Sequence, residues 1–181
     1  MAIFHVVPYA FGVDENGLPD AEGKRRCLGA LALVGKFPDV VIVLGAGMPE
    51  KLTGKPVQTL AGSASWFLQQ QGLSILHMLL NPKGRSTARE TAAAYEVIPP
   101  ISRHSVVFGV TSWWHGPRVW LCGRIIFGRN FRVKGVGTTH HGMVLARDIV
   151  HEIVAMPKSF VEACILLRRL RRQPALPVAA R

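Results

Sequence analysis

The run VVIVLGAG, residues Val40 to Gly47, offers no polar face. Successive side chains of a strand point to opposite sides of a sheet, so an apolar, β-branched run of this kind is buried on both faces. Such a strand belongs inside a parallel sheet covered by helices on both sides. The rest of the chain alternates accordingly. Ile3 to Val7 reads as a first strand, followed by the polar turn DENGLPD and a helix, AEGKRRCLGALALVG, that stops at Gly35. After the second strand and a loop holding Lys51, Gly54, Lys55 and Pro56, AGSASWFLQQQG reads as a helix ending before Gly72. LSILHMLL reads as the third strand, STARETAAAYEVI as a helix stopped by Pro99 and Pro100, and SVVFGV as the fourth strand. GPRVWLCGRIIFG is the next helix and FRVKGVG a weaker fifth strand. The C-terminal part is helical from about Val144 to Arg171, with a break expected at Pro157. This alternation predicts an α/β fold, a mostly parallel sheet of about five strands with helices on both faces. One domain spans residues 1–172, and 173–181 reads as a flexible tail.

The net charge of +11 favours anionic partners. Much of it lies in the tail region at Arg168, Arg169, Arg171, Arg172 and Arg181, so charge alone does not predict specific nucleic-acid binding. Cys27, Cys122 and Cys164 are widely spaced among apolar neighbours and read as reduced core thiols, as suits a cytoplasmic protein. No apolar run reaches the length of a membrane span, because Lys36, Pro38 and Asp39 interrupt the best candidate. The start, MAIFHVVPYAF, has neither a basic head nor a clear cleavage site.

Chemistry-bearing residues cluster where strands give way to helices. In GVTSWWHGPR, Thr111, Ser112, His115 and Arg118 follow the fourth strand, and Pro117 suits the first turn of a helix. In open parallel sheets, ligands bind beyond the carboxyl ends of the strands, where helix N-termini present unpaired N–H groups. An anion or nucleotide pocket would take a hydrogen bond from Ser112, a bidentate grip from Arg118 and acid or base chemistry from His115. On the alternative reading, Ser112 caps the helix and Arg118 is a surface residue. Gly45, Ala46 and Gly47 form a strand-end turn whose backbone could approach a ligand, although Glu50 stands where a dinucleotide fingerprint needs its third glycine. In RSTARE, Thr87 and Glu90 have capping-box spacing, and Arg85 with Ser86 could add to an anion site there. Lys24, Arg25 and Arg26 stand near a helix start, against the helix dipole, which hints at an anionic partner for at least one of them; the competing and favoured reading is that they are solvated side chains. His140 and His141 lack acidic or thiol company, and His151-Glu152 is not a zinc motif because Ala155 replaces the second histidine, so no metal is expected. A G-x-S-x-G elbow and a P-loop are absent.

The pattern Thr111-Ser112-x-x-His115-x-x-Arg118 at a strand end resembles that of the YdcF/ElyC/SanA-like family of bacteria. Arg26 followed by Ala30, the glycine-ended VIVLGAG, and Glu90 followed by Ala92 extend the resemblance over most of the chain. Thr91 stands at the family's asparagine and Ala88 at its threonine, and the first strand ends in PYAFG. The resemblance implies a Rossmann-like three-layer sandwich, a pocket for a nucleotide or adenosyl ligand, and a link to cell-envelope metabolism.

These readings lead to a small-molecule-binding domain for a phosphorylated or nucleotide-like ligand. Arg26 and Arg118 would meet its charge; Ser112 and the Gly45–Gly47 backbone would position it; His115 is the candidate acid or base. Two alternatives stay open. One is a peripheral module that meets an anionic membrane surface through the basic C-terminal helix, where Phe160, Cys164, Leu167 and Leu170 share a side; the competing expectation is that this side packs inward on the sheet. The other is a transferase dependent on S-adenosylmethionine. Whether the chain is an enzyme, and its oligomeric state, are not fixed by the sequence.

Overall fold

A computed structural model describes residues 4–10, 12–37, 39–47, 49–50, 58–99 and 105–172. The Lys51–Pro56 loop and the 173–181 tail lie outside them. In chain order the elements are β1 (Phe4–Pro8), α1 (Ala21–Val34), β2 (Val40–Ala46), β3 (Pro49–Glu50), β4 (Gln58–Thr59), α2 (Leu60–Gln70), β5 (Met78–Gly84), α3 (Thr87–Val97), β6 (Val107–Ser112), α4 (Gly116–Phe127), β7 (Phe131–Val136) and α5 (Gly142–Arg172). Five strands form one parallel sheet in the order β5-β2-β1-β6-β7, and β3 and β4 make a separate short antiparallel pair. One core layer packs α1 and α2 on the sheet, and the second packs α3, α4 and part of α5 on its other side. The fold is therefore the expected Rossmann-like α/β sandwich.

Strand order reverses between β1 and β6, and this places the site. Pro8 pairs with Val110, and the Tyr9 amide donates to the Val110 carbonyl at 3.0 Å. The segments leaving β1 and β6, Tyr9-Ala10 and Thr111-Ser112, thus emerge side by side at the crevice such sheets use for ligands.

Local chemistry explains the helix starts. Asp20 Oδ1 accepts from the Gly23 amide at 2.7 Å and caps α1; Thr59 accepts from the Gly62 amide at 3.0 Å and caps α2. At α3 the cap is Ser86, which accepts from the Arg89 amide, so the expected Thr87–Glu90 capping box does not form. Because the helix starts one residue earlier than that spacing assumes, Glu90 turns away from the cap and takes the Ala10 amide instead.

Three further expectations are corrected. The third strand begins at Met78, after a 3₁₀ turn over Ile75–His77, and runs through Pro82 to Gly84. An edge strand bonded on one side only tolerates a proline, which is why polar-looking residues belong to it. Helix α5 continues through Pro157 without a break. Pro157 and Ile153, whose carbonyl the proline leaves without its usual partner, are both exposed, so water can satisfy that carbonyl. The inward face of α5 carries Glu152, Ser159, Ala163, Leu166 and Leu170 rather than Phe160 and Leu167, and the helix packs chiefly on α3 and α4 instead of the sheet.

Candidate functional site

The carboxyl ends of the strands open into a cleft of about 490 Å³. Arg26, Ala46, Ser86, Thr87, Glu90, His115 and Arg118 line it; Gly45, Gly47, Thr111 and Ser112 do not. The two glycines serve packing. A Cβ on Gly45 would lie 2.5 Å from the Glu90 carbonyl oxygen, and one on Gly47 would lie 1.8 Å from that of Pro82. They let β2 press against β5 and the first turn of α3, which is what sets Glu90 at the cleft floor.

Ser112 neither caps the next helix nor faces the cleft. Its buried Oγ donates to Glu22 Oε1 and accepts from Arg26 Nε at 3.0 Å. Thr111 is fully buried behind it, its hydroxyl without a hydrogen-bond partner among the described residues. Arg26 is buried as well. Its Nη1 donates to the carbonyls of Tyr9 at 3.2 Å and Ala10 at 3.3 Å, so it ties α1 to the segment leaving β1. Glu22, one helical turn before Arg26, accepts through Oε2 from the Thr139 amide at 2.9 Å and from the hydroxyls of Thr138 and Thr139. Burial draws the Arg26 guanidinium down to about 10, against the upward pull of Glu22, and leaves it charged at neutral pH.

His115 is held from behind. Its Nδ1 lies 2.8 Å from Glu152 Oε2 and 3.3 Å from Arg118 Nη2, and Arg118 Nη2 donates to Glu152 Oε1 at 2.7 Å. A carboxylate can only accept and a guanidinium can only donate, so Glu152 and Arg118 call for opposite tautomers; the closer Glu152, with Arg118 already donating to its other oxygen, favours the proton on Nδ1. That leaves Nε2 as an acceptor, 3.5 Å from the Thr87 hydroxyl. Burial pushes His115 down to about 4, against the upward pull of Glu152, so at neutral pH the ring is uncharged and able to take a proton. Glu90 is pushed the other way. Burial raises it to about 8, although the Ala10 amide, donating to Oε1 at 3.0 Å, and Arg26 both favour its charged form. One cleft thus holds a neutral base and a protonated acid, the pairing acid–base chemistry uses.

These two shifts oppose each other in stability. Between pH 4.5 and about 8, folded chains keep a Glu90 proton that unfolded chains have released, so stability falls as pH rises. Between about 4 and 6.5, unfolded chains take a His115 proton that folded chains refuse, so stability rises with pH. Above 6.5 only the Glu90 slope remains of the two. Urea denaturation should therefore show a loss of up to about 2 kcal/mol between pH 6.5 and 8, and Glu90→Gln should flatten it.

The charge around the cleft is mostly spent inside the protein. Glu152 is taken by Arg118 and His115, Asp148 by His140 at 2.5 Å, and Glu90 holds its proton. Arg85, exposed at the rim where β5 runs into α3, has no ion-pair partner among the described residues. Arg118 meets Glu152 through Nη2, and its Nε is buried without a hydrogen-bond partner among the described residues, so the expected bidentate grip would share the guanidinium with Glu152. Sequence reasoning missed Glu22 and Glu152. Trp114 also lines the cleft, packed between Arg26, 5.8 Å from its ring centre, and the His140 ring at 6.2 Å. Cys27 and Cys122 are buried, which pushes both thiols up to about 12, so neither is a nucleophile.

Comparison with protein-family models, curated proteins and solved structures finds no match to this chain. Among the described residues, no helix is long and apolar enough to cross a membrane.

Proposed function

We propose that the cleft binds a small phosphorylated or nucleotide-like molecule, with its phosphate at the N-terminus of α3 beside Arg85. The observation that carries this reading is the position of that helix end. Gly84, Arg85, Ser86 and Thr87 form part of the cleft wall at the crevice where strand order reverses. A helix N-terminus there offers N–H donors and partial positive charge to an anion, and Arg85 is a cation with no ion-pair partner among the described residues. Ala10, Ala46 and Leu60 supply a small apolar wall for the remainder of the ligand. His115, with Nε2 toward Thr87, is the group that would accept or return a proton if the bound molecule reacts. The resemblance to the YdcF-like pattern rests on Thr111, Ser112, His115 and Arg118 and supports the same region of the fold.

Thermal unfolding in the presence of nucleoside mono- and diphosphates, sugar phosphates, S-adenosylmethionine and inorganic phosphate tests the reading. A phosphorylated compound at about one hundred times its dissociation constant should stabilise the fold by roughly 2.7 kcal/mol. Silence from every phosphorylated compound, or a response to S-adenosylmethionine alone, would overturn it.

A further inference from the structure

The outer face of α5 is apolar and basic and carries no acid. Val150, Ile153, Val154, Phe160, Val161 and Ile165 are all exposed along it, Val154 at 73% and Ile153 at 62%. With the exposed Pro157 between Val154 and Phe160, they fall on one side of the helix and form one stripe rather than scattered contacts. Arg168 and Arg172 continue the stripe at the same spacing, and Arg147, Lys158, Arg169 and Arg171 flank it, all exposed. The three acids of the helix turn inward. Asp148 meets His140, Glu152 meets His115 and Arg118, and Glu162 meets Ser86 and Arg89 at 2.7 Å each. Because α5 packs on α3 and α4, its outer face lies away from the sheet.

We infer that this face docks on an anionic phospholipid bilayer, with the valine and isoleucine stripe at the acyl boundary and the arginines among the headgroups. Charge decides between a bilayer and a second copy of the chain. Pairing α5 with itself would set a face that carries cations and no acids against another of the same kind, whereas an anionic surface complements every charge on it. The inner side of the same helix delivers Glu152 to the cleft, so docking would hold the cleft about one helix diameter, roughly 10 Å, from the membrane.

Flotation of the full chain with vesicles of phosphatidylglycerol and phosphatidylcholine, against phosphatidylcholine alone, tests this. The protein should float with the anionic vesicles only, and less so as salt is raised. Val154→Glu/Val161→Glu should abolish flotation, and Arg168→Gln/Arg172→Gln should weaken it about twenty-five-fold, at about five-fold for each arginine. Both pairs are exposed, and unchanged thermal unfolding would show that the fold survives; the arginine pair serves if the glutamate pair does not fold. No flotation of the wild type, or flotation equal in a folded variant, would overturn the inference. So would a dimer in sedimentation velocity that Val154→Glu/Val161→Glu dissolves while vesicles go unbound, which would assign the stripe to a second copy.

Discussion

Replacing Arg26 with methionine should cost about 3–5 kcal/mol of folding stability, the usual penalty for leaving one member of a buried ion pair alone. Arg26 and Glu22 are both buried, 3.9 Å apart at their nearest charged atoms, and Ser112 bonds to each. Methionine fills much of the volume but removes every donor. The carbonyls of Tyr9 and Ala10 lose their partner, and Glu22 keeps a buried charge that only hydroxyls and one amide then face. The loss should appear as a lower urea midpoint at unchanged slope. Adding Glu22→Gln to the methionine variant should return part of it, since the stranded charge goes with it. A double variant that merely adds the two single losses would show that the pair is not coupled. Because Arg26 anchors the segment leaving β1, a folded methionine variant should also bind the phosphorylated ligand less well.

Glu152→Ala should be the next most costly change, about 3 kcal/mol. It strands Arg118 and takes away the group beside His115 Nδ1 in one step. Burial then acts on His115 without an opposing carboxylate, so the ring should hold its proton still less firmly. Glu152→Gln keeps the shape and one acceptor, and should lose less. Ring nitrogen shifts measured by NMR across pH would separate the two effects: the wild-type spectrum should show the proton on Nδ1 at pH 7, and Glu152→Ala should redistribute it toward Nε2. A wild-type ring protonated on Nε2 would remove His115 as the base of the cleft.

The fold was legible because its strands announce themselves. A β-branched run with no polar face, such as Val40 to Leu44, has few places to go other than the middle of a covered sheet. The opening motif was legible for a related reason, since hydroxyls, an imidazole and a guanidinium at a strand end have to meet something. What they meet was not legible. Glu22 and Glu152 reach Ser112 and His115 from α1 and α5, and only the topology brings them there. One local signal did exist: Glu22 and Arg26 are four apart on a helix, the spacing of a paired face. The inner face of α5 was misread because hydrophobicity singles out the bulky Phe160, whereas close packing on α3 and α4 selects the small Ser159 and Ala163 and leaves the ring outside. Gly45 and Gly47, at the end of β2, were taken as ligand-facing because a strand-end glycine turn has that use elsewhere; here the backbone they approach is the protein's own.

On the function proposed above, the phosphate of the ligand sits between Arg85 and the α3 N-terminus. Calorimetric titration of a nucleoside diphosphate into the wild type and into Arg85→Ala tests it most directly. Arg85 is exposed and without an ion-pair partner among the described residues, so its removal should leave the fold unchanged. The wild type should show saturable binding that is weakened at least about ten-fold in Arg85→Ala, as loss of a charge-assisted hydrogen bond of about 1.5–3 kcal/mol requires. Equal affinity in the two proteins would place the phosphate elsewhere and contradict it.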